Sequence, residues 1–289
     1  MKSLSILIPT YNDSCAVLVA ELQRQAAALS IGYEVIVADD GSTDRNVLES
    51  NRSINRLPNC RVVERQENSG RAAIRNFLAS EARHPWLLFI DGDMVVCRND
   101  YVRRYADTTE TDVVVDGGVV TGNLTAGNLR SMYEKAAEHE HTAEQRQLSP
   151  YMDFHTANFM VRRDIMLAHP FDQRFRHYGY EDVFFGKQLR HDSIAITHID
   201  NPMSFERFET NADFINKTEE GLRTLHTFRS ELEGYSRLLA VVSRLSLLAP
   251  FIRLFHCLFG RLLRCRLTGN HPNLLLFKAY RLGYYMTIQ

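Results

Sequence analysis

The chain has 289 residues, of which 45% are hydrophobic and 24% are charged, and this ordinary globular composition excludes a disordered protein. Its net charge of −1 conceals an uneven distribution. Residues 234–289 contain seven Arg, one Lys and no Asp or Glu, so they carry +8 and the first 233 residues carry −9. The acidic body argues against general nucleic-acid binding, whereas the basic, leucine-rich tail favours contact with an anionic surface.

The cysteines and the N-terminus indicate a cytosolic protein. The five Cys residues are odd in number and scattered without metal-ligand spacing, which is typical of reduced thiols. They are Cys15, Cys60, Cys97, Cys257 and Cys265. The opening MKSLSILIPTYN runs directly into a strand pattern, so we expect no signal peptide. No uncharged run reaches about 18 residues, so we expect no membrane-spanning helix.

The first hundred residues alternate between predicted strands and predicted helices. Each strand is a nearly continuous apolar run, which is typical of parallel strands covered on both faces. The strands are predicted at residues 4–8, 33–38, 60–64 and 86–90, and the helices at 14–29 and 69–83. This order predicts an α/β fold with a mainly parallel central sheet.

The pattern continues beyond residue 100. We predict a strand at 111–120, a polar helix at 127–147, short strands at 160–162 and 194–197, and a helix that begins at Glu181-Asp182. His139 and His141 lie two apart on the polar helix and therefore do not share a face. We interpret them as a solvated pair rather than a metal site.

Polar clusters follow three of the predicted strands. They are Thr10-Tyr11-Asn12, Asp39-Asp40 and Asp91-Gly92-Asp93. In open α/β sheets, ligands bind beyond the carboxyl ends of the strands. We therefore expect these clusters to converge on one binding site.

The cluster Asp91-Gly92-Asp93 has three possible interpretations. Carboxylate oxygens suit Mg²⁺ or Mn²⁺, which often bind through one or two carboxylates and substrate phosphates. An Asp-Gly-Asp sequence is also a common turn after a strand. The spacing matches haloacid-dehalogenase-like phosphatases as well, in which Asp91 would be the nucleophile. That family places this strand at the start of its fold, which leaves about ninety preceding α/β residues unexplained.

Six motifs in order resemble those of the family 2 glycosyltransferases, which are inverting enzymes of the GT-A fold. They are SILIPTYND, VADDGSTD, NSGRAAIRN, FIDGD, TANFMVRR and GYEDVFFGKQL, and the resemblance covers residues 3–230. The later segments HIDNP and FETNADFINKTEEGLRTL are similar to a bacterial subgroup that builds surface polysaccharides.

The resemblance implies a nucleotide-sugar site. Asp40 would read the base, since a carboxylate accepts the imide N–H of uracil, and Asp39 would support the loop. Tyr11 would stack on the base. Arg71 and Arg75 would contact the pyrophosphate or Asp91. The full set of donor-site residues is Pro9, Thr10, Tyr11, Asn12, Asp39, Asp40, Asn68, Gly70, Arg71, Arg75, Asp91 and Gly92.

The resemblance also implies a metal site with a catalytic base. Asp91 and Asp93 would hold Mn²⁺ or Mg²⁺, and the cation would stabilise the diphosphate as leaving group. Related enzymes often supply a His as a further ligand, but this chain has Phe205 at the expected place, so His198 is the candidate.

Asp182 would be the general base that takes the proton of the acceptor hydroxyl. Glu181 would assist it or bind the acceptor. Asn158, in TANFMVRR, would lie on the acceptor side. An acidic first turn of a helix is also favoured by the helix dipole, and both interpretations can hold together.

We expect a catalytic domain at 1–230, with a nucleotide-sugar half at 1–100 and an acceptor half at 101–230, followed by a tail at 231–289. Beyond Pro250, the tail predicts an amphipathic helix with Arg on its polar face, which either packs on the body or lies in an anionic membrane interface. The expected activity is transfer of a sugar, from a UDP-linked donor, to a glycan or lipid-linked acceptor at the cytoplasmic side of a membrane. The remaining alternative is an inactive module that tethers glycan machinery.

Overall fold

The computed structural model describes residues 1–108 and 111–288. Ten strands form within these residues. They are β1 (Ser3–Thr10), β2 (Gly32–Asp39), β3 (Cys60–Glu64), β4 (Trp86–Ile90), β5 (Met94–Val96), β6 (Val114–Asp116), β7 (Val119–Thr121), β8 (Asn158–Arg162), β9 (Ile196–His198) and β10 (Met203–Phe205).

Twelve α-helices form within the same residues. They are α1 (Ala16–Ala27), α2 (Arg45–Arg52), α3 (Arg71–Glu81), α4 (Tyr101–Ala106), α5 (Leu129–Ala137), α6 (Ala143–Leu148), α7 (Arg163–Ala168), α8 (Glu181–His191), α9 (Asn211–Thr227), α10 (Arg237–Arg244), α11 (Ala249–Thr268) and α12 (Leu274–Thr287). Short 3₁₀ helices lie at Ser53–Arg56, Glu138–Glu140 and Ser246–Leu248.

The central sheet has seven strands in the order β3-β2-β1-β4-β8-β6-β9. The first four run parallel, as predicted, while β8 is antiparallel to both of its neighbours. Strands β1 and β2 end in register, with Thr10 beside Asp39, and the backbone N–H of Asp40 donates to Thr10 O at 2.9 Å. Two of the predicted polar clusters therefore meet at one edge of the sheet.

Apolar side chains cover both faces of this sheet, which confirms the prediction from the apolar runs. On one face, Ile6, Val35 and Leu88 pack with α1 and α4. On the other face, Ile36 and Phe89 pack with α3 and α8. The inner strands β1, β2 and β4 are therefore largely buried on both sides, whereas the edge strand β3 is partly exposed.

A small sheet, in the order β5-β10-β7, lies beside the end of β4. Strand β10 pairs with β5 so that Phe205 lies opposite Met94, the residue after Asp93. The residue at the expected histidine position is therefore close to Asp93 in the fold, but its side chain is a phenyl ring that offers no metal ligand.

Two predicted elements are broken in the structure. The strand predicted at 111–120 divides into β6 and β7 because Gly117 and Gly118 turn between them. Gly118 has φ +79°, and a Cβ there would lie 2.5 Å from Arg146 Nη1. The helix predicted at 127–147 divides into α5, a 3₁₀ turn and α6.

The C-terminal tail packs on the body through two helices. Helix α12 shares a core cluster with α5 and α9, in which Phe277 and Tyr280 contact Leu129 and Phe214. Helix α11 lies against α12 and α9. By length and composition alone, residues 246–268 could cross a membrane, and little of this segment is buried.

Candidate active site

Two adjoining cavities open at the carboxyl ends of β1, β2 and β4. The first, about 320 Å³, is the donor cavity; it contains Pro9, Thr10, Tyr11, Asp13, Asp40, Asn68, Gly70, Arg71, Ile74, Arg75, Asp91, Gly92, Asp93 and Lys217. The second, about 210 Å³, is the catalytic cavity, and it contains Asp182, His155, Tyr178, Arg130 and Phe205. Both cavities are lined by Arg71, Asp91, Asp93 and Lys217.

Most of the sequence-predicted donor residues do converge on the donor cavity. Gly92 allows the end of β4 to approach the end of β1, because a Cβ at this position would lie 3.2 Å from Thr10. Gly70 has φ +88° and precedes α3, and its N–H donates to Asn68 Oδ1 at 3.1 Å. Tyr11 is 49% exposed at the rim, where a base could stack on its ring.

Asn12 and Asp39 hold the walls of the donor cavity rather than lining it. Asn12 has φ +51°, and its Oδ1 accepts from the N–H groups of Thr43 and Asp44 at 2.8 and 3.1 Å. Asp39 Oδ1 accepts from Ser42 N–H at 2.7 Å. Asn12 therefore fixes the loop that follows β2 against the loop that follows β1, and Asp39 fixes the turn within the loop that follows β2.

The arrangement around Asp40 does not match the base-reading role expected for it. Its Oδ2 accepts from the N–H groups of Ser69 and Gly70 at 2.9 and 3.0 Å. Its Oδ1 accepts from Ser69 Oγ at 2.8 Å and from Arg65 Nη1 at 3.4 Å. A carboxylate has about four lone-pair sites, and all four are used here. Asp40 thus holds the loop before α3.

Asp91 is held by two arginines from α3. Arg71 Nη2 donates to its Oδ2 at 2.9 Å, and Arg75 Nη2 donates to its Oδ1 at 2.5 Å. The Arg75 side chain is only 1% exposed, so this pair is largely removed from solvent. Arg71 and Arg75 are one helical turn apart and reach the same carboxylate, as their spacing predicts. Both oxygens of Asp91 are therefore occupied, and its expected role as a metal ligand is not supported by this geometry.

The surroundings of the Asp93 carboxylate differ from those of the Asp91 carboxylate. Within the described residues, its carboxylate has neither a hydrogen-bond donor nor an ion-pair partner, yet it lines both cavities. Burial and the nearby Asp91 carboxylate raise its pKa. A divalent cation would offset both effects, and Mg²⁺ commonly takes one protein carboxylate together with substrate phosphates. The residues present therefore fit a cation held by Asp93.

The structure does not bring His198 to Asp91 or Asp93. It lies on β9, and its Nε2 is 3.0 Å from Pro150 O while its Nδ1 is 3.6 Å from Asp116 Oδ2. The ring is buried and lines neither cavity. Among the residues the structure describes, no group of three or more His, Cys, Asp or Glu side chains could hold a metal. His198 is thus not retained as a ligand.

Asp182 faces the catalytic cavity from the first turn of α8. Burial, and next the negative charge of Glu181, raise the pKa of Asp182 to about 6. A base with a pKa near neutrality is both ionised and a good proton acceptor at physiological pH. Its neighbour Glu181 is buried and turns to Arg71 Nε at 2.8 Å. Glu181 therefore positions Arg71 and does not face an acceptor.

Asn158 is buried and does not line either cavity, contrary to its expected place on the acceptor side. Its Oδ1 accepts from the hydroxyls of Tyr101 and Tyr105, and its Nδ2 donates to Gly118 O and Asn201 O. These four hydrogen bonds use its full capacity. It joins β8 to α4 and to the glycine turn after β6.

Three residues that the sequence interpretation missed line the catalytic cavity. Arg130 lies with its guanidinium 4.9 Å from the ring of Phe205 and 2.6 Å from Glu209. Lys217 lies 3.1 Å from Glu209. It belongs to the segment FETNADFINKTEEGLRTL, in which a basic residue is the feature that could have indicated a contact with the diphosphate. Both cations suit a diphosphate.

His155 is the third missed residue, and it lies close to Asp116. Its Nδ1 is 3.8 Å from Asp116 Oδ2. Burial lowers the pKa of His155, but the Asp116 carboxylate outweighs burial, so the net pKa is raised. His141 also lines the catalytic cavity, with its ring 5.4 Å from that of His155, whereas His139 is exposed. The two predicted solvated histidines thus differ in their surroundings.

Known proteins are similar to this chain in sequence and in fold. The chondroitin synthase of Escherichia coli is 28% identical over 243 residues, which cover 72% of this chain and 35% of the synthase, so the chain spans about a third of that bacterial relative. The mannosyltransferase PcManGT from Pyrobaculum calidifontis, solved with GDP-Man and Mn²⁺, has a TM-score of 0.60 at 15% identity, covering 98% of this chain and 84% of that chain.

S. aureus TarS 1-349, solved with UDP-GlcNAc, has a TM-score of 0.54 at 16% identity, covering 99% of this chain and 90% of that chain. At these identities the structural likeness shows the fold alone, which is the expected GT-A fold. Residues 5–168, more than half of the chain, match the family described as Glycosyl transferase family 2. The chain therefore belongs to glycosyl transferase family 2.

Proposed function

We propose that this glycosyltransferase moves a sugar, with inversion, from a nucleoside diphosphate donor to a glycan or lipid-linked acceptor of bacterial surface polysaccharide. The observation that carries the proposal is the position of Asp182. It faces a catalytic cavity that shares Arg71, Asp91, Asp93 and Lys217 with the donor cavity. A base and a diphosphate site are thereby adjacent, which is the arrangement that displacement at an anomeric carbon needs.

The proposed step is a single displacement. The Asp182 carboxylate takes the proton of the acceptor hydroxyl while that oxygen attacks the anomeric carbon. The new bond joins the acceptor oxygen to this carbon, and the bond from the carbon to the diphosphate oxygen breaks. The electron pair leaves with the diphosphate, and Arg71, Lys217 and Arg130 supply positive charge close to it.

The proposed cofactor is Mn²⁺ or Mg²⁺, held by Asp93. A bound cation would act as a Lewis acid on the diphosphate oxygens. Asp93 supports this assignment because its carboxylate lines both cavities and has no protein partner within the described ranges 1–108 and 111–288. Two structural neighbours fit this view, since one was solved with GDP-Man and Mn²⁺ and the other with UDP-GlcNAc. UDP is the first nucleotide to test.

Neither alternative function is retained. A phosphatase nucleophile needs a free carboxylate oxygen, whereas both oxygens of Asp91 accept hydrogen bonds from Arg71 and Arg75. An inactive tethering module would not need the ionisable Asp182 at a cavity adjoining the donor site. Membership of a glycosyltransferase family also argues against the phosphatase.

The variant Asp182→Asn tests the proposal. It keeps the shape of the side chain but cannot accept a proton, and so we expect transfer to fall by at least about 10²-fold. Donor binding, measured as the UDP-induced thermal shift with Mn²⁺, should stay within about twofold of the wild type. Wild-type transfer rates in this variant would remove Asp182 from the mechanism. If the wild type does not bind UDP in the presence of Mn²⁺, the assignment of the donor site is wrong.

We also propose that the protein works at the cytoplasmic surface of an anionic membrane, through α11. This helix turns its polar side to the body: Arg264 donates to Glu219 at 2.9 Å, and Gly260 is buried beneath His256. Its apolar side points away from the body. We call this surface, together with the preceding 3₁₀ turn, the apolar crest, and its side chains, each 45% to 90% exposed, are Leu247, Leu248, Phe251, Leu254, Phe255, Leu258, Phe259 and Leu262.

The charges around the apolar crest favour anionic lipid. Helical spacing places Arg261 at the side of the crest, and it places Arg266, four residues after Leu262, on the same face beyond the C-terminal end of the crest; both side chains are exposed. Neither arginine has an ion-pair partner among the described residues. Contiguous exposed apolar patches of this size are rare on soluble monomers. Apolar side chains flanked by Arg are typical of helices that lie in a membrane interface.

The packing of α11 favours a helix that lies in the interface over one that spans the bilayer. Arg264 contacts Glu219 and Asn216 of α9, and Arg253 Nε donates to Met286 O of α12. A spanning helix would carry these polar groups into the hydrocarbon region, which costs several kcal/mol for each unsatisfied group. In the interface, the same contacts stay intact on the side away from the lipid.

A further inference from the structure

A third cavity, about 630 Å³, lies between α5, α10 and α12, and we call it the three-helix groove. Helix α5 contributes Tyr133, Ala136 and Ala137, and the following turn contributes Glu140 and His141. The other two walls come from the tail and consist of Arg237, Leu238, Val241, Leu274, Lys278, Ala279, Arg281 and Leu282. The tail thus supplies most of a cavity that the body alone does not form.

The three-helix groove continues from the catalytic cavity. Ala137 and His141 line both of them. The donor cavity adjoins the catalytic cavity on its other side, through Arg71, Asp91, Asp93 and Lys217. The three cavities therefore form a row, and the groove begins on the side of the catalytic cavity that the donor does not need. A molecule in the groove could present one end near Asp182.

The groove carries excess positive charge. It is lined by Arg237, Lys278 and Arg281, against a single acidic side chain, Glu140. Arg237 is paired with Asp153 at 2.9 Å. Lys278 and Arg281, in contrast, have no carboxylate partner in the part of the chain that the structure describes.

Arg281 is positioned to hold an anion. Its guanidinium lies 5.7 Å from the ring of Tyr133 and 5.5 Å from the ring of Phe277, and it donates to Tyr133 Oη at 3.2 Å. A planar guanidinium that lies beside two aromatic rings, and that has no carboxylate partner among the described residues, suits a phosphate oxygen.

The remaining wall of the groove is apolar. Leu238, Val241, Leu274 and Leu282 line it, and Val241 is 41% exposed on α10. Helix α10 leads through a short 3₁₀ turn into the apolar crest of α11. An alkyl chain that leaves the groove past Val241 would therefore meet the surface proposed to contact lipid, and would not have to emerge into water.

We propose that the three-helix groove binds the acceptor as a lipid phosphate. Its hydroxyl-bearing end would enter the catalytic cavity past Ala137 and His141, its phosphate would lie at Lys278 and Arg281, and its hydrocarbon chain would follow Leu238 and Val241. This inference rests on the proposed function and deepens it by assigning the acceptor class. It also gives the tail a second use, since the same helices close the groove and carry the apolar crest.

Binding of decyl phosphate to the full chain, by titration calorimetry below its micelle concentration, tests the inference. Ala279→Trp would fill the groove from an exposed position, and we expect it to weaken binding by at least about tenfold. Leu275→Trp is the matched control, because Leu275 is 75% exposed on the same helix and lies outside the groove; it should bind within about twofold of the wild type. Lys278→Gln should weaken binding by about three- to tenfold, and Lys2→Gln should not.

Two further ligands test the contributions of the alkyl chain and of the phosphate separately. Inorganic phosphate should compete only at much higher concentration, and a neutral alkyl glycoside of the same chain length should bind at least about tenfold more weakly. Equal binding of decyl phosphate by the wild type and Ala279→Trp would overturn the inference, as would equal binding of the neutral glycoside. The UDP-induced thermal shift with Mn²⁺ should be unchanged in Ala279→Trp. If the wild type lacks that shift, the donor assignment fails instead, independently of the groove.

Discussion

Arg71 donates a hydrogen bond of 2.8 Å to Glu181, 110 positions further along the chain. The same guanidinium binds Asp91 at 2.9 Å, so it joins the end of β4 to the start of α8. The two acidic motifs are thereby organised alike. The first acid of each, Asp91 and Glu181, is paired with Arg71 and the neighbouring Arg75, and the second, Asp93 and Asp182, faces the catalytic cavity. Arg71 thus determines which carboxylates are available for chemistry.

We predict that Arg71→Lys reduces transfer by about 10- to 100-fold. The ammonium group of Lys cannot donate in two fixed directions, so one of the two charge-assisted hydrogen bonds is lost, at about 1.5–3 kcal/mol. Initial rates at saturating donor and the melting temperature would be measured together. Arg24→Lys is the control, because Arg24 also binds a carboxylate with two nitrogens but does so on an exposed face of α1. Equal rates for Arg71→Lys and the wild type would contradict the bridging role.

The pKa of Asp182 predicts the pH profile of the reaction. Since only the ionised carboxylate accepts a proton, kcat/KM should fall as pH drops through about 6 and should be nearly constant above about 7.5. An unchanged rate from pH 7.5 to 5 would exclude a base with this pKa.

The Asp182 carboxyl should also make folding stability depend on pH. Stability should be higher at low pH, where the reaction is slow. Its folded-state pKa lies above the unfolded value, so the folded protein binds more protons, and stability declines as pH rises from about 4 through 6. Asp182→Asn removes this penalty. It should therefore be as stable as the wild type or more so at pH 7.5, by up to about 2 kcal/mol, as measured by denaturant unfolding.

Much of the fold could be predicted because its signals are local. The bounds of β3 and β4 equal the predicted ones, since each is an apolar run bounded by polar or turn residues. The orientation of α11 could not be predicted. Helical periodicity separates its Arg face from its Leu and Phe face, but only the contacts of Arg264 with α9 show that the polar face is the packed one.

The site was predictable in location but not in detail. Parallel strands end at one edge of a sheet, so the clusters after β1, β2 and β4 had to meet. Whether a carboxylate is free depends instead on residues distant in the sequence. Asp40 is bound by Ser69 and Gly70, and Asn158 is bound by two tyrosines of α4. No spacing rule reports such partners, and the roles that the sequence predicts for Asp40, Asp91, Asn158 and His198 therefore differ from their surroundings in the structure.

The free carboxylate of Asp93 predicts where a metal binds. In the wild type, UDP should raise the melting temperature more with Mn²⁺ than without it. Asp93→Asn should remove most of this metal-dependent part, because an amide oxygen is a much weaker ligand for a hard cation. His198→Gln should keep it, since both ring nitrogens of His198 face protein groups. Loss of the metal effect in His198→Gln, or its survival in Asp93→Asn, would reverse the assignment.

The apolar crest predicts that membrane binding depends on α11 side chains which the fold does not need. Leu254 and Leu258 are 60% and 67% exposed, so replacing both with Ser should leave the melting temperature within about 2 °C of the wild type. Inserted leucines contribute about 1–2 kcal/mol each, so binding to vesicles rich in phosphatidylglycerol should weaken by at least about tenfold in cosedimentation. Val17→Ser and Leu148→Ser, at exposed apolar positions outside the tail, serve as controls and should bind normally. The wild type could instead form a dimer that the two Ser substitutions convert to a monomer. If vesicle binding does not change at the same time, the crest contacts a second copy of the chain and not lipid.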